Sequence, residues 1–122
     1  MKTRNIMIVG VGGQGTLIAS RILGGIATTA GYDVKVSEVH GMAQRGGSVV
    51  TFVRYGDEVA EPIVEPGCAD VLIAFERLEA KRYAHYLKPD GVLILNDGYY
   101  QFHTIHILPS FSAPGKYIPH AR

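Results

Sequence analysis

A glycine-rich turn that joins a buried strand to a helix constrains the fold of this chain more than any other feature. The apolar run Asn5–Gly10 is typical of a strand buried on both faces. The turn Gly10–Gly15 follows it, and Thr16–Ala30 has the apolar spacing of a helix that ends at a capping glycine, Gly31. A second strand over Asp33–Glu38 completes a strand–helix–strand unit, which is right-handed in nearly all proteins.

The remaining elements predict a three-layer α/β/α domain with a Rossmann-like start and a mostly parallel sheet. Three further strands and one helix are expected, at Val49–Arg54, Asp70–Phe75, Val92–Leu95 and Glu76–Leu87. The stretch Val59–Val64, interrupted by Pro62, indicates an edge strand or an extended loop. Its antiparallel pairing with the strand before it, through a turn at residues 55–58, would make the sheet mixed.

The 122 residues fit one domain. We assign residues 1–98 to the α/β domain and residues 99–122 to an irregular C-terminal tail of the same domain. Within that tail, His103–Leu108 could form one more strand. Metal binding by His103 and His106 is not expected, because residues three apart on a strand point to opposite faces and no further ligand cluster accompanies them.

Composition and charge exclude several classes of function. The formal net charge is +1, from 12 basic and 11 acidic residues without a run of like charge, so nucleic-acid binding is not expected. Glycine breaks the apolar runs before they reach membrane-spanning length, and the N-terminus lacks the pattern of a secretory signal. The single cysteine, Cys68, excludes an internal disulfide and a self-contained iron–sulfur or cysteine-type zinc site. Together these features predict a cytoplasmic protein.

The first candidate site is the glycine-rich turn. Gly10, Gly12 and Gly15 match the dinucleotide fingerprint in its expected place between a strand and a helix. Glu38 ends the second strand, where dinucleotide-binding proteins carry an acid for the ribose. Binding of another phosphate, contact with a neighbouring chain, and a purely structural turn are the other interpretations of the same glycines.

The second candidate site is the polar, glycine-rich segment His40–Ser48. A dinucleotide-binding fold would continue into a second helix here, whereas this chain returns directly as a strand. Arg45 can clamp a carboxylate or phosphate with two hydrogen bonds, Gln44 adds a second long donor, and His40 can titrate near neutral pH. The alternatives are a histidine bonded to the loop backbone and a solvated or ion-paired surface arginine.

Glu76 is a third candidate, because it follows the fourth predicted strand and open α/β sheets place ligands at the C-terminal ends of strands. The alternative is an acid in the first helical turn that interacts favourably with the helix dipole. Asn96 and Asp97 end the fifth predicted strand at the same edge and are interpreted as turn residues. No nucleophile with an adjacent base is recognisable, so no catalytic residue is assigned.

Three segments resemble the gamma-type subunit or domain of 2-oxoacid:ferredoxin oxidoreductases, and within that family most of all the beta subunit of the indolepyruvate enzymes. These segments are Val9–Thr16, Ser37–Val49 and Ala69–Glu76. Met42-Ala43 and Leu78-Glu79-Ala80 favour the indolepyruvate members over the pyruvate and 2-oxoglutarate members. The glycine turn alone is unspecific, but together with the Gln44–Gly47 loop it is a specific signal.

The resemblance implies a non-catalytic subunit of a complex that oxidatively decarboxylates a 2-oxo acid to an acyl-CoA. In such a complex the large partner subunit carries thiamine diphosphate and the iron–sulfur clusters, coenzyme A accepts the acyl group, and ferredoxin accepts the electrons. This chain alone is expected to bind no cofactor and to contact the partner near its active site. By analogy the contact residues are Gly10, Gly12, Gly13, Gln14, Gly15, His40, Gln44, Arg45, Gly46 and Glu76.

The chain departs from the family pattern in two ways. Arg77 stands where a proline is expected, and the chain ends before the further helix and strand of family members. A truncated sheet would expose an apolar edge, so self-association is predicted. A stand-alone dinucleotide-binding protein and an orphaned interaction module of the same fold are the alternatives. A backbone site for an anion at residues 10–15, such as a coenzyme A phosphate, is a further hypothesis.

Overall fold

A mixed sheet forms the centre of the structure, a computed structural model that describes residues 2–11, 14–40, 47–95, 98–101 and 116–118. Within these residues the sheet has seven strands, in the order β2-β3-β1-β4-β5-β6-β7. Their bounds are Arg4–Val11 for β1, Asp33–His40 for β2, Ser48–Gly56 for β3, Ala69–Ala74 for β4, Leu87–Leu95 for β5, Gly98–Gln101 for β6 and Lys116–Ile118 for β7. The helices are α1, Gln14–Thr29, and α2, Arg77–Tyr83, which continues into a 3-10 turn at Ala84–Tyr86.

The two helices cover opposite faces of the sheet, which confirms the predicted three layers. Met7 and Val9 of β1 belong to a buried cluster that includes Ala80 of α2. The alternate residues Ile6 and Ile8 belong to a second cluster, against which α1 packs. Because successive side chains of a strand point to opposite faces, this division places α1 and α2 on the two sides of β1.

The sheet is mixed because β3 lies between β1 and β2 and runs antiparallel to both. β1, β4 and β5 are parallel neighbours. The expected pairing of the third strand with Val59–Val64 is wrong, because no strand forms there. Arg54 instead donates hydrogen bonds to the carbonyls of Glu61 (2.7 Å) and Ile63 (3.3 Å), which holds that stretch as an extended connection beside β3.

The C-terminal end of α1 follows the sequence prediction. Gly31 adopts a φ of +93°, a left-handed conformation that favours glycine. Its N–H donates to the carbonyl of Thr28 at 2.9 Å, and the N–H of Tyr32 donates to Ala27 at 3.1 Å. This pair of bonds is a Schellman cap and satisfies carbonyls that the helix end would leave open.

The orientation of α1 is not what its apolar residues alone suggest. The residues that α1 buries against the sheet are small: Thr16, Ser20, Gly24 and Ala27. Ile18, Ile22 and Ile26 face outward. A Cβ atom on Gly24 would lie 3.7 Å from Val36 and 3.8 Å from Val34 of β2, so the absent side chain lets the helix approach the sheet closely.

The second helix and the C-terminal tail differ from expectation. α2 begins at Arg77 and ends at Tyr83, and Leu87 already belongs to β5, so the predicted helix over Glu76–Leu87 is too long. In the tail, β6 and β7 extend the sheet, so an irregular conformation is wrong for those residues. Asn96, Asp97 and the predicted strand His103–Leu108 lie outside the described residues. A division of the chain at residue 98 stays a prediction.

Among the described residues, no helix has the length and apolar character needed to cross a bilayer.

Candidate functional site

The two glycine-rich segments leave the sheet at the same end of its strands, which we call the shared edge. The strands that lead into them, β1 and β2, are separated there by β3. His40, the last residue of β2, pairs with Val49 of β3, and Val49 pairs on its other side with Gly10 of β1. The next pair in the register joins Val11 to Ser48. The C-terminal end of β4 reaches this edge too, because β4 is parallel to β1. The topology therefore brings together the starts of both segments singled out in the sequence.

Glu76, which follows β4, also lies at this edge. Its Oε1 accepts a hydrogen bond from the backbone N–H of Val11 at 3.0 Å. Glu76 is the N-cap residue of α2 with an extended backbone, yet its side chain makes no capping bond to its own helix. Besides its place at the start of α2, the carboxylate therefore binds the strand end that opens into the glycine turn.

Phe75 explains why glycine stands at two positions of this turn. A Cβ atom on Gly10 would lie 3.1 Å from Cδ2 of the Phe75 ring, and one on Gly15 would lie 3.2 Å from its Cζ. The backbone N–H of Phe75 also donates to the carbonyl of Val9 at 3.1 Å. Sequence reasoning missed Phe75, although a ring directly after a buried strand and opposite a glycine turn is a recognisable signal.

A second set of contacts ties α2 to the end of the His40–Ser48 segment. Arg82 Nη1 donates to the Ser48 hydroxyl at 3.0 Å and lies 3.6 Å from Oε2 of Glu79. Glu79 is 2% exposed, and its Oε1 has no hydrogen-bond partner among the described residues. Glu76, Glu79 and Arg82 are spaced three apart, so one side of α2 contacts both members of the Val11–Ser48 pair.

Several predicted contact residues cannot be placed. Gly12, Gly13, Gln44, Arg45 and Gly46 lie outside the described residues. For two others only the backbone is described: Gln14 begins α1 and His40 ends β2. The structure thus brings Gly10, Gly15 and Glu76 together at the shared edge.

The dinucleotide interpretation does not fit this topology. It requires Glu38 beside the glycine turn, on a strand next to β1. Glu38 instead pairs with Thr51 of β3, and Thr51 pairs in turn with Ile8 of β1. Glu38 is thus two strand spacings from β1, about 9.5 Å. An antiparallel strand fills the place where a ribose-binding crevice would open.

The described part of the turn is also poorly suited to an anionic group. The Val11 N–H already donates to a carboxylate, and Glu76 would repel the phosphate of coenzyme A, a dinucleotide or thiamine diphosphate. Iron–sulfur ligation finds no support either, because the one cysteine, Cys68, is exposed at the opposite end of β4. The geometry suits contact with hydrogen-bond donors or with another chain's backbone.

The chain belongs to the pyruvate ferredoxin/flavodoxin oxidoreductase family, whose pattern it matches over residues 5–118. This confirms the resemblance found in the sequence.

Curated relatives identify the branch of the family to which the chain is similar. It is 54% identical to indolepyruvate oxidoreductase subunit IorB of Pyrococcus horikoshii over 96 residues, which are 79% of this chain and 48% of the relative. It is 53% identical to the same subunit of Thermococcus kodakarensis, with the same coverage of 79% and 48%. The chain therefore spans about half the length of the curated relatives it matches.

Solved structures show the same fold. The gamma subunit of a keto/oxoacid ferredoxin oxidoreductase from Geobacter sulfurreducens matches with a TM-score of 0.64 and 26% identity, over 95% of this chain and 58% of that one. The pyruvate oxidoreductase subunit PORC from Thermotoga maritima matches with a TM-score of 0.63 and 28% identity, over 79% of this chain and 51% of that one. The mixed α/β/α architecture is thus that of the gamma subunits.

Proposed function

We propose that this chain acts as the small, non-catalytic subunit of an indolepyruvate-type 2-oxoacid:ferredoxin oxidoreductase. The complex would oxidatively decarboxylate a 2-oxo acid to an acyl-CoA in the cytoplasm and pass the electrons to ferredoxin. Its large subunit would carry thiamine diphosphate and the iron–sulfur clusters. The observation that carries the proposal is the 54% identity to an IorB subunit.

The shared edge of β1, β2 and β4 is the surface we assign to the large subunit. Two features support this assignment. All three segments whose sequence resembles the family reach this edge: Val9–Thr16 at Gly10, Ser37–Val49 at His40 and Val49, and Ala69–Glu76 at its last residue. The Glu76 carboxylate also gives the edge a negative charge, which suits an amide, ammonium or guanidinium donor better than a phosphate. Gly10, Gly12, Gly13, Gln14, Gly15, His40, Gln44, Arg45, Gly46 and Glu76 remain the proposed contact residues.

Co-purification tests the proposal. The tagged chain is expressed in its native cytoplasm, captured, and analysed by mass spectrometry together with its partners. We expect recovery of a large subunit that contains thiamine diphosphate and iron–sulfur clusters, and 2-oxo-acid-dependent reduction of ferredoxin by the captured material. Arg45→Ala should weaken assembly or turnover, whereas Lys2→Ala, an exposed residue at the opposite end of β1, should change neither.

Two results would contradict this function. One is capture of the chain without any thiamine-dependent partner, which would favour the orphaned interaction module. The other is saturable binding of a nicotinamide or flavin dinucleotide by the isolated chain, weakened by Glu38→Ala, which would restore the stand-alone dinucleotide-binding alternative.

A further inference from the structure

The outer face of α1 carries an exposed apolar row. Ile18, Ile22 and Ile26 are four residues apart and therefore lie along one side of the helix. They are 53%, 56% and 63% exposed. Scattered single apolar residues are normal on a surface, but a continuous row over two helical turns is typical of an interaction site.

A depression lies directly beside this row. It is lined by Arg21, Ile22, Gly25, Ile26 and Thr29. A Cβ atom on Gly25 would have no neighbouring atom within 4 Å. Glycine destabilises an exposed helical site relative to alanine, and contacts of the described chain do not require it here, in contrast to Gly24 against β2. The bare backbone at Gly25 leaves room for a side chain from outside.

We propose that a second copy of this chain covers this face. The residues around the depression are spaced as in the holes that receive a knob side chain from a facing helix. Ile22, three residues before Gly25 on α1, is the side chain that would act as the knob. With two α1 helices antiparallel about a twofold axis between these positions, Ile22 of each copy enters the depression at Gly25 of the other. Such a reciprocal contact is what twofold symmetry requires.

The charge of α1 supports an antiparallel copy. Arg21 is the only charged residue of α1, and the last turn of the helix contains no basic residue. The C-terminal end of a helix carries partial negative charge, which a cation stabilises. In the antiparallel pair, the long Arg21 side chain of one copy can extend toward the last turn of the other copy's α1. The same arrangement keeps its charged group at the rim, where it stays hydrated.

The size of the face predicts a weak dimer. α1 has 16 residues, so the strip is about 24 Å long and about 11 Å wide. Standard interfaces bury roughly 800 Å² on each partner, and smaller ones dissociate readily. The strip covers about a third of that area, so we expect a dimer that forms only at high protein concentration and dissociates on dilution. This inference concerns the outer face of α1 from Ile18 onward, beyond the residues assigned to the shared edge, and does not rest on the proposed function.

Sedimentation velocity of the full chain over a range of concentrations tests the inference. The wild type should shift from monomer to dimer as concentration rises. Ile22→Asp and Gly25→Gln should both remain monomeric, because one charges the knob and the other fills the depression. Leu78→Asp is the matched control: Leu78 is 65% exposed on α2, across the sheet, and its replacement should leave the dimer intact. Circular dichroism confirms that each variant is folded.

Two outcomes would overturn the inference: a wild type that stays monomeric at every concentration, or a dimer that both α1 variants leave unchanged. Capture of the large subunit is measured separately with the same variants. A monomeric wild type whose capture of the large subunit fails only in Ile22→Asp would overturn self-pairing and leave the proposed function standing.

Discussion

The carboxylate of Glu76 accepts a hydrogen bond from the backbone N–H of Val11, 65 positions away in the chain. The bond links the N-cap of α2 to the strand end that opens into the glycine turn. Since Val11 is also paired with Ser48, the same contact fixes the start of β3. Glu76, at the start of α2, thus holds the ends of β1 and β3 from which the glycine-rich segments leave the sheet.

Removal of this carboxylate should loosen the glycine turn. Glu76→Ala leaves the Val11 amide without its acceptor, and an exposed bond of this kind is worth about 0.5–1.5 kcal/mol. Hydrogen exchange of the Val11 amide should accelerate in Glu76→Ala and less so in Glu76→Gln, which keeps a carbonyl oxygen. Glu65→Ala, an exposed residue of the connection before β4, is the control. Unchanged Val11 exchange in Glu76→Ala would contradict the role of this bond.

Two glycine-to-alanine substitutions should have opposite effects on stability. In Gly10→Ala the new methyl group would lie 3.1 Å from Phe75 and 3.3 Å from Thr16, so overpacking should cost about 1–3 kcal/mol. Gly25→Ala meets no neighbour and should instead stabilise the helix by up to about 1 kcal/mol. Urea unfolding of both variants measures the difference. The prediction for Gly10 fails if Phe75→Leu does not reduce the cost of Gly10→Ala.

Loss of Arg82 should be more harmful than loss of Arg82 and the Glu79 charge together. Arg82→Ala leaves the buried Glu79 carboxylate without its ion-pair partner, which should cost about 1–3 kcal/mol. Glu79→Gln combined with Arg82→Ala removes the uncompensated charge and should recover part of that loss. Thermal unfolding of the single and double variants gives the coupling, with Leu78→Ala as a control on the same helix. Additive effects would show that the pair does not interact.

Asp33 should make stability depend on pH in the acid range. The hydrogen bond from the Val59 N–H (2.8 Å) and then the Lys35 ammonium group lower the pKa of Asp33 below its ordinary value. A lowered pKa in the folded state means that the stabilisation is complete above the unfolded pKa. It is lost as the pH falls through the folded pKa. The melting temperature of the wild type should therefore exceed that of Asp33→Asn near neutral pH, and the two should converge as the pH falls through the lowered pKa of Asp33 in the folded state.

Local sequence signals predicted the elements of this fold better than their arrangement. Strands β1 and β4 and the Gly31 cap follow from apolar runs and one glycine, because these features depend on neighbouring residues. The insertion of β3 between β1 and β2 depends on pairing across distant positions. The only local indication of this insertion was that the chain returns directly as a strand after the segment that starts at His40, without a second helix.

The sequence predicted where the candidate site lies, but not which of its residues contact one another. Strand ends located Gly10, His40 and Glu76 at one edge, since parallel strands share their C-terminal side. The bond from Val11 to Glu76 could not be foreseen, because no pattern specifies which donor a carboxylate reaches across the sheet. The sequence also did not predict that Ile22 faces outward. Helical spacing shows which residues of α1 are apolar, but not that the small residues of the helix pack against the sheet.

The place of β3 between β2 and β1 has a mechanical consequence. The described ends of the His40–Ser48 segment are the end of β2 and the start of β3, and β3 is bonded along its length to strands on both sides. A force applied to Ser48 along the axis of β3 loads all of these hydrogen bonds in shear at once instead of opening them one by one. Strain imposed at the start of β3 would therefore be shared between β1 and β2 rather than confined to one strand.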